Sequence, residues 1–251
     1  GLPANIFFGT GIPTIIMVLR KNKKDSDVLI IDASKGFEKD GKNNKLRACD
    51  IKRIVDAYKE RPEKIEKFAR RVSRAEIVQN DYNLNIPRYV DSSEKAESWD
   101  IYASMFGGIP EAELQDLSAY WTAFPHLKAA LFSPDNEAYC RLNVANLKNA
   151  VLSHPDVVAF KTAFQNAFGD FDAYLKSALI DGMTQLNTAG EEERLSREIF
   201  ARLAGIPLVD RYAAYQLLDD DWKKIAIDLE IIQTEGFAAT KQVDPNMVLK
   251  K

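Results

Sequence analysis

Continuous runs of β-branched and aliphatic residues occur only in the first third of this sequence, and this confines any sheet to that part of the chain. Two such runs, at residues 14–19 and 28–31, lie on either side of a polar loop at residues 22–27. Two apolar runs across a short polar loop predict adjacent antiparallel strands. Because both runs are continuously apolar rather than alternating, they indicate a sheet that is covered on both faces. The sequence therefore predicts an α/β fold for this region.

After these two runs, apolar residues recur at helical spacing. Apolar residues at steps of three and four predict one helix around residues 51–58 and a second after Pro62, with Ile65, Phe68 and Val72 on one face. Ser73 and Glu76 have the spacing of a helix N-cap.

The sequence beyond Val90 shows no strand pattern. Glycine and proline separate stretches of helical periodicity, which predict helices at about 110–123, 136–152, 156–168, 170–186, 191–204 and 207–234. The polar, acidic run at residues 91–98 is typical of a domain boundary. We therefore predict an α/β segment over residues 1–90 and a mainly α-helical domain over residues 91–251, so that the chain is mostly α overall.

Composition excludes several classes of protein. No apolar run approaches the roughly 20 residues of a membrane span, so we predict no membrane partner. Two cysteines, Cys49 and Cys140, are too few for a disulfide framework, and they lack metal-ligand spacing. With only His126 and His154, a zinc site or a histidine-based triad is not expected. We predict no metal and a cytoplasmic location.

The net charge of −3 conceals an uneven distribution of charged residues. From Arg20 to Arg74 the chain holds 18 Lys and Arg against 10 Asp and Glu. Such an excess predicts a surface that faces a polyanion, although a solvated face of mixed charge is an equal alternative. The predicted phosphate-contacting residues are Lys21, Lys23, Lys24, Arg70, Arg71, Arg74 and Arg88.

Two segments resemble signatures of a known family. They are Asp-Tyr-Asn-Leu-Asn-Ile-Pro-Arg-Tyr-Val at residues 81–90 and Leu-Pro-Ala-Asn-Ile-Phe-Phe-Gly-Thr-Gly-Ile-Pro at residues 2–13. Their order and spacing resemble the adenine-N6 DNA methyltransferase (modification) subunit of type I restriction–modification systems. The resemblance is specific over residues 1–90. It is looser over residues 91–251, where residues 212–216 and Trp222 are similar to the family's helical tail.

The resemblance implies adenine-N6 methylation of DNA with S-adenosylmethionine as the methyl donor. It also implies a specificity subunit and a restriction subunit as partners. The family's catalytic Asn-Pro-Pro-Phe tetrapeptide and cofactor loop lie upstream of these signatures, and no Asn-Pro-Pro occurs in this sequence. We therefore expect the carboxy-terminal part of a larger enzyme, with an incomplete methyltransferase-type sheet and no catalytic residue. Alone, it should bind no S-adenosylmethionine and methylate nothing.

The family pattern also implies a role for Phe7. An aromatic residue before a late strand stacks on the adenine that is rotated out of the duplex, since an extracted base needs a π-face to replace its lost stacking. Phe7 has this position, and Phe8 is the neighbour that could take its role. The alternative is that both rings alternate between core and solvent at the end of a strand.

The same stretch contains Phe-x-Gly-x-Gly at residues 7–11, which matches the cofactor loop of many methyltransferases. Asp32 follows about twenty residues later, where an acid would bind a ribose. A cofactor loop, however, needs a helix after the glycines. Only a short β-branched run follows Pro13, and a crossover helix needs roughly a dozen residues. The cofactor-loop interpretation is therefore disfavoured.

Two further patterns each have two interpretations. The asparagines of residues 83–85 suit backbone hydrogen bonds in a turn, and Arg88 either contacts phosphate or pairs with an acid. An apolar stripe on the last helix is either an internal core or a docking surface for the specificity subunit. Its members are Tyr212, Tyr215, Leu218, Trp222, Ile225 and Leu229. For the whole chain, the alternative to a methylase fragment is an independent helical module that binds nucleic acid or protein without catalysis.

Overall fold

The computed structural model, which describes residues 1–93 and 99–241, contains two compact units, Gly1–Ala96 and Glu97–Lys251. We refer to them as unit 1 and unit 2. Each unit has hydrophobic clusters of its own. Over the described part of the chain, helices are either too short or too polar to cross a bilayer.

Unit 1 combines short antiparallel strands with two helices. In chain order its elements are β1 (Val28–Ile31), β2 (Glu38–Asp40), β3 (Asn43–Lys45), α1 (Ala48–Glu60), β4 (Lys64–Ile65), β5 (Ala69–Val72), α2 (Arg74–Gln79) and a 3-10 turn (Ile86–Arg88). One sheet has the order β1-β5-β4, and β2 and β3 form a separate hairpin. Three short antiparallel strands do not identify this sheet as one of the methyltransferase type.

The sheet of unit 1 is covered on both sides. A cluster of Ile30, Val72, Ile77, Tyr89 and Val90 connects β1 and β5 to α2 and to the segment that ends the unit. A second cluster lies under α1, where its members are Ala33, Ala57, Phe68 and Ala69. The buried carboxyl end of the 81–90 signature segment therefore packs against the sheet.

The partner predicted for β1 was wrong. Val28 to Ile31 pair antiparallel with Val72 to Ala69, not with residues 14–19. Residues 14–19 have no regular secondary structure and are mostly exposed, and among the described residues the only backbone hydrogen bond that they make runs from the Leu2 amide to the Thr14 carbonyl, at 2.8 Å. A local apolar run indicates an extended backbone, but its pairing partner is fixed by packing.

The helix predicted after Pro62 was also wrong. Residues 64–72 form the β4–β5 hairpin, with Lys67 at φ +56° in its turn. Ile65, Phe68 and Val72 have a spacing that suits a helix, but a run this short does not distinguish a helix from a hairpin. Both Ile65 and Phe68 still pack into the cluster beneath α1. The helix before Pro62 is confirmed, since α1 ends at Glu60.

Unit 2 is mainly helical. Its helices are α3 (Ile101–Phe106), α4 (Glu111–Asp116), α5 (Ser118–Ala123), α6 (Leu127–Leu131), α7 (Leu147–Ser153), α8 (Pro155–Ala167), α9 (Phe171–Leu175), α10 (Thr188–Leu203) and α11 (Arg211–Glu235). A π-helical turn (Lys176–Asp181) and a 3-10 turn (Met183–Gln185) follow α9, and a further 3-10 turn (Phe237–Lys241) follows α11. The helices predicted near residues 156–168, 191–204 and 207–234 are confirmed.

The prediction that no strands follow Val90 was wrong. Unit 2 contains a three-stranded antiparallel sheet of order β6-β8-β7, whose strands are β6 (Ile109–Pro110), β7 (Phe132–Pro134) and β8 (Tyr139–Leu142). The helix predicted over residues 136–152 begins only at Leu147, because a tight turn precedes β8. In that turn the Asn136 side chain accepts hydrogen bonds from the amides of Ala138 and Tyr139, at 2.9 and 3.0 Å. Strands of two to four residues are too short to produce a detectable period.

Candidate nucleic-acid interface

The two units carry opposite net charge. Unit 1 holds 20 Lys and Arg against 14 Asp and Glu, a net charge of +6, whereas unit 2 holds 14 against 23, a net charge of −9. The two values add to the −3 of the whole chain. Because nucleic acid is bound mainly through its phosphates, a surface for it is expected on unit 1.

Phe7 and Phe8 lie in a loop of unit 1, not at the end of a strand. Phe7 is 54% exposed and Phe8 is 97% exposed. The turn closes with the Thr10 amide donating to the Phe7 carbonyl at 3.4 Å, and Gly9 has φ +80° within it. Since neither ring is buried, the alternative of core packing does not describe them. Both rings are accessible to a ligand.

Asn44 holds the start of this loop, and the sequence analysis did not identify it. The Asn44 side-chain amide donates to the Ala4 carbonyl at 2.7 Å, and its backbone amide donates to the Asn5 carbonyl at 2.8 Å. Its side chain is buried, and its Oδ1 atom has no hydrogen-bond partner. An asparagine in a polar loop and hairpin gives no sequence signal of such a contact. Asn44 therefore fixes the backbone from which Phe7 projects.

Arg70 and Arg71 are both held by carboxylates of unit 1. The Arg70 guanidinium makes two bonds to Glu76, at 2.8 and 2.9 Å. Arg71 donates to Glu63 at 2.5 Å, and this hydrogen bond raises the pKa of the Arg71 guanidinium. To contact phosphate, either arginine would have to leave its present partner. Of the basic cluster predicted at residues 70–74, only Arg74 is exposed without an ion pair to another described residue.

The lysines at residues 21–24 differ in whether they already have an acidic partner. Lys23 pairs with Asp25 at 3.0 Å and donates to the Asp27 carbonyl. Lys21 and Lys24 are exposed, and neither forms an ion pair within the described parts of the chain. These two lysines can therefore contact phosphate without first losing a partner.

The 81–90 signature segment is fixed from within. The buried Tyr89 donates its hydroxyl hydrogen to the Asn83 carbonyl at 2.6 Å, and the Asn83 side chain accepts from the Asn85 amide at 2.9 Å. The asparagine–backbone contact supports the structural interpretation of this segment. Arg88 is exposed, and it has no acidic partner among the residues that the structure describes.

The stripe on α11 mostly faces its own unit. Trp222 is 6% exposed and packs, like Leu229, in a cluster with Leu195 of α10. Leu218 lies against the same cluster, and the Tyr215 hydroxyl donates to Glu192 at 2.7 Å. Burial, with this hydrogen bond as the second cause, raises the pKa of the Tyr215 phenol.

The two remaining residues of the stripe are Tyr212 and Ile225. The Tyr212 ring lies edge-on to that of Phe200, with 5.4 Å between centroids. Ile225 is exposed. The internal-core alternative therefore describes Trp222, Leu229 and Leu218, and these three are not free to dock a partner while α11 is packed.

Two kinds of ligand site are not apparent in the described residues. They contain no cluster of three or more His, Cys, Asp or Glu that could hold a metal ion. After Gly9 and Gly11 the first helix is α1, which begins at Ala48. The described part of unit 1 therefore has no helix directly after these glycines.

Comparison with known proteins finds a family match in the first part of the chain. Residues 1–98 match the N-6 DNA Methylase family. This match confirms the resemblance drawn from the two signature segments, and it coincides closely with the extent of unit 1.

Methylase subunits of type I restriction enzymes match about the same share of the chain. Identity is 39% over 101 residues to the type I restriction enzyme MpnII methylase subunit of Mycoplasma pneumoniae. It is 42% and 37% over 106 residues to the MjaVII and MjaVIII methylase subunits of Methanocaldococcus jannaschii. Each alignment covers 40% of this chain and 18% of the relative. The chain therefore spans less than a fifth of the length of these methylase subunits.

A solved structure also matches part of the chain. The type I restriction–modification system methyltransferase subunit from Streptococcus thermophilus is 55% identical over the matched region. The match covers 37% of this chain and 20% of that protein, with a TM-score of 0.36.

Proposed function

We propose that this chain acts as part of the modification subunit of a type I restriction enzyme, which methylates adenine at N6 in DNA. The observation that carries the proposal is the match of residues 1–98 to the N-6 DNA Methylase family. The relatives named as type I methylase subunits support the same assignment. This match favours the methylase over an independent binding module, because it covers the whole of unit 1.

Unit 1 contributes the DNA-contacting surface in this proposal. Its charge of +6 supports that role, as do the exposed Lys21, Lys24, Arg74 and Arg88. Lys23, Arg70 and Arg71 would contribute only after exchanging a carboxylate for a phosphate. Exposed ion pairs such as that of Arg71 stabilise little, so a polyanion can replace them, whereas the two-bonded, partly buried pair of Arg70 with Glu76 is harder to exchange.

Phe7, with Phe8 beside it, forms part of the target-base pocket in this proposal. Extraction of an adenine from the duplex loses its stacking, and an exposed ring can replace that contact. The exposure of Phe7, on a loop that Asn44 anchors, is consistent with such a role. S-adenosylmethionine would be held by other parts of the methylase, so unit 1 would supply the base side of the pocket.

Unit 1 also has apolar surface that suits a larger sheet. Gly1 donates to the Ile31 carbonyl at 2.7 Å and accepts from the Ala33 amide at 2.9 Å, which is the hydrogen-bond pattern of a parallel pair. The run at residues 14–19 exposes Ile15, Ile16 and Leu19. Long exposed apolar strands are avoided in native proteins. These features support a role of unit 1 as part of a methyltransferase-type sheet that other segments of the methylase complete.

Unit 2 serves subunit contacts in this proposal, with the specificity and restriction subunits as partners. Its net charge of −9 is unfavourable for DNA and suits a basic protein surface. Ile225 and Tyr212 are the stripe residues that remain candidates for docking, since the others pack internally.

Salt-dependent DNA binding by the 251-residue chain tests the role of unit 1. We expect weak binding to a labelled 20-base-pair duplex in fluorescence anisotropy. Replacing Lys21, Lys24 and Arg74 together by Ala should reduce the slope of log affinity against log salt by up to about 3, since each phosphate contact contributes roughly 0.9.

The matched control removes charge from unit 2. Asp220 and Asp221 are exposed on α11, and replacing both by Asn should leave the salt slope unchanged. Absence of DNA binding by the unaltered chain would count against the proposed role of unit 1. An unchanged slope in the triple variant would count against this particular surface.

A further inference from the structure

One exposed group in the 81–90 signature segment has no role in the proposals above. Tyr89 and Val90 of this segment are buried, and Asn83 and Asn85 fix its turn. Tyr82 is 66% exposed, and its hydroxyl has no partner among the described residues. A structural role for the segment therefore does not account for Tyr82.

The backbone presents Tyr82 in an unusual conformation. Asp81 and Tyr82 have φ of +54° and +57°, so two consecutive residues other than glycine lie in the left-handed region. This region is uncommon for a bulky side chain and costs energy at each residue. Glycine or asparagine would fit there at lower cost. A tyrosine at such a position is at odds with the local conformational preference.

Hydrogen bonds hold this turn rigidly. The Asp81 amide donates to the Val78 carbonyl at 3.0 Å, and the Tyr82 amide donates to the Ile77 carbonyl at 2.9 Å. On the carboxyl side, the Asn83 amide donates to the Asn80 carbonyl at 2.9 Å. Because Ile77 and Tyr89 are both in the buried cluster, the turn is fixed to the core from both ends. The Tyr82 ring thus projects from a defined platform.

Charged residues close in sequence to the Tyr82 turn indicate which kind of ligand the ring binds. Arg88 follows in the same segment, next to the Tyr89 whose hydroxyl binds the turn, and Arg74 begins the helix that leads into it. Both arginines are exposed without an acidic partner among the described residues, whereas Arg70 and Arg71 are paired. Asp81 supplies one negative charge here. An exposed ring in a stretch of sequence that also carries two exposed guanidinium groups combines aromatic stacking with positive charge, the two means by which proteins bind unstacked bases together with their phosphates.

We infer that Tyr82 stacks on an exposed nucleobase of the DNA whose phosphates Arg74 and Arg88 contact. This inference rests on the proposed DNA-binding role of unit 1, and it adds a second aromatic contact at a position separate from the Phe7 loop. A methylase that extracts a base leaves unstacked neighbours in the duplex, which a projecting ring can cover. Tyr82 supplies that ring.

The test uses the 251-residue chain and two oligonucleotides. One is an intact duplex, and the other carries 2-aminopurine opposite an abasic site. Stacking is worth about 1–3 kcal/mol per base, so removal of the ring should weaken binding to the second oligonucleotide by about 5- to 150-fold. Affinity for the intact duplex should change much less. The 2-aminopurine fluorescence should be quenched by the unaltered chain.

Tyr82→Gly is the decisive variant, because glycine favours the positive φ of this position. It removes the ring while it relieves the backbone, so the melting temperature should stay the same or rise while stacking is lost. Tyr82→Phe should retain both affinity and quenching. Tyr58→Ala, which removes another exposed tyrosine of unit 1, should change neither.

Each result of this experiment either supports or overturns the stacking role of Tyr82. If the unaltered chain binds neither oligonucleotide, both the inference and the proposed DNA contact are overturned. If it binds both but Tyr82→Gly binds with unchanged affinity and quenching, the inference alone is overturned. If Tyr82→Gly lowers the melting temperature while the folded fraction binds normally, Tyr82 has a structural role instead.

Discussion

At the scale of single residues, the structure separates side chains that the sequence treats alike. Phe7 and Phe8 are adjacent and identical, yet Phe7 is half-buried and Phe8 is almost wholly exposed. Arg71 and Arg74 belong to one basic run, yet Arg71 is paired with Glu63 and Arg74 has no ion pair among the described residues. These differences arise from the loop and helix on which each residue lies, and they determine which side chain is available to a ligand.

The Phe7 ring gives the sharpest residue-scale prediction. Under the proposed function, Phe7→Ala in the active methylase should reduce methylation efficiency by roughly ten- to a hundredfold, which corresponds to the loss of about 1–3 kcal/mol of stacking. Phe7→Trp should retain most of the activity. Steady-state methylation of a duplex with tritiated methyl donor measures both variants.

Phe8→Ala separates the two rings: a loss confined to Phe7→Ala assigns the stacking to Phe7, whereas an equal loss in both variants assigns it to the pair. Because about half of the Phe7 surface is exposed, its removal should change the melting temperature little. A Phe7→Ala enzyme that is destabilised but normally active in its folded fraction would show that Phe7 has a packing role.

At the scale of elements, α11 shows how an amphipathic stripe is used within one unit. Its inner face contacts α10 through Trp222 and Leu229, together with Leu186 and Leu195. Asp219 is also buried on this helix, where it pairs with Lys223. Helical periodicity predicts which residues share a face, but it does not distinguish a face that meets a helix of the same chain from one that meets a partner.

Trp222→Ala tests the placement of this stripe. Removal of a buried tryptophan should cost about 3–5 kcal/mol in the free energy of unfolding, because it combines lost burial with a cavity. Leu217, which is 70% exposed on the same helix, is the matched control, and Leu217→Ala should change stability by less than about 0.5 kcal/mol. Urea unfolding followed by circular dichroism compares the two. Equal stability of both variants would contradict the core assignment.

At the scale of the whole molecule, three properties change at nearly the same point in the chain. They are the match to the methylase family, the boundary between the compact units and the sign of the net charge. Residues 1–98 match the methylase family, the first compact unit ends at Ala96, and the net charge changes from +6 to −9 across that point. A strongly negative unit is repelled by DNA, whereas a positive one attracts it. This division of charge is the basis for proposing DNA contact by unit 1 and protein contact by unit 2.

The absence of a helix after the glycine turn leads to a prediction for the entire chain. Titration calorimetry with S-adenosylmethionine should detect no binding in the micromolar range, since Gly9 and Gly11 are followed by backbone without regular secondary structure instead of a helix that could receive a cofactor. Micromolar affinity that is lost in Gly11→Ala, but kept in Gly41→Ala of the β2–β3 turn, would contradict this prediction.

The sequence by itself determined the family resemblance of residues 1–90, the mainly helical character of the second unit and the approximate position of its last helix. These properties depend on specific motifs and on long periodic patterns, such as the 25 residues of α11, which one stretch of chain contains in full. The end of α1 before Pro62 was equally predictable, because proline disfavours a helical conformation at the residue that precedes it.

Only the tertiary structure decided which strands pair, which arginines have no acidic partner among the described residues, and whether the α11 stripe packs inside its own unit. The run at residues 14–19 and β1 are both apolar, but β1 pairs with β5 because long-range packing chooses between similar edges. The hairpin at residues 64–72 and the sheet of unit 2 use strands of two to four residues, which are too short to have a recognisable period. Asn44 and Tyr82 acquire their significance from burial, hydrogen bonds and backbone angles, which exist only once distant residues of the chain are in contact.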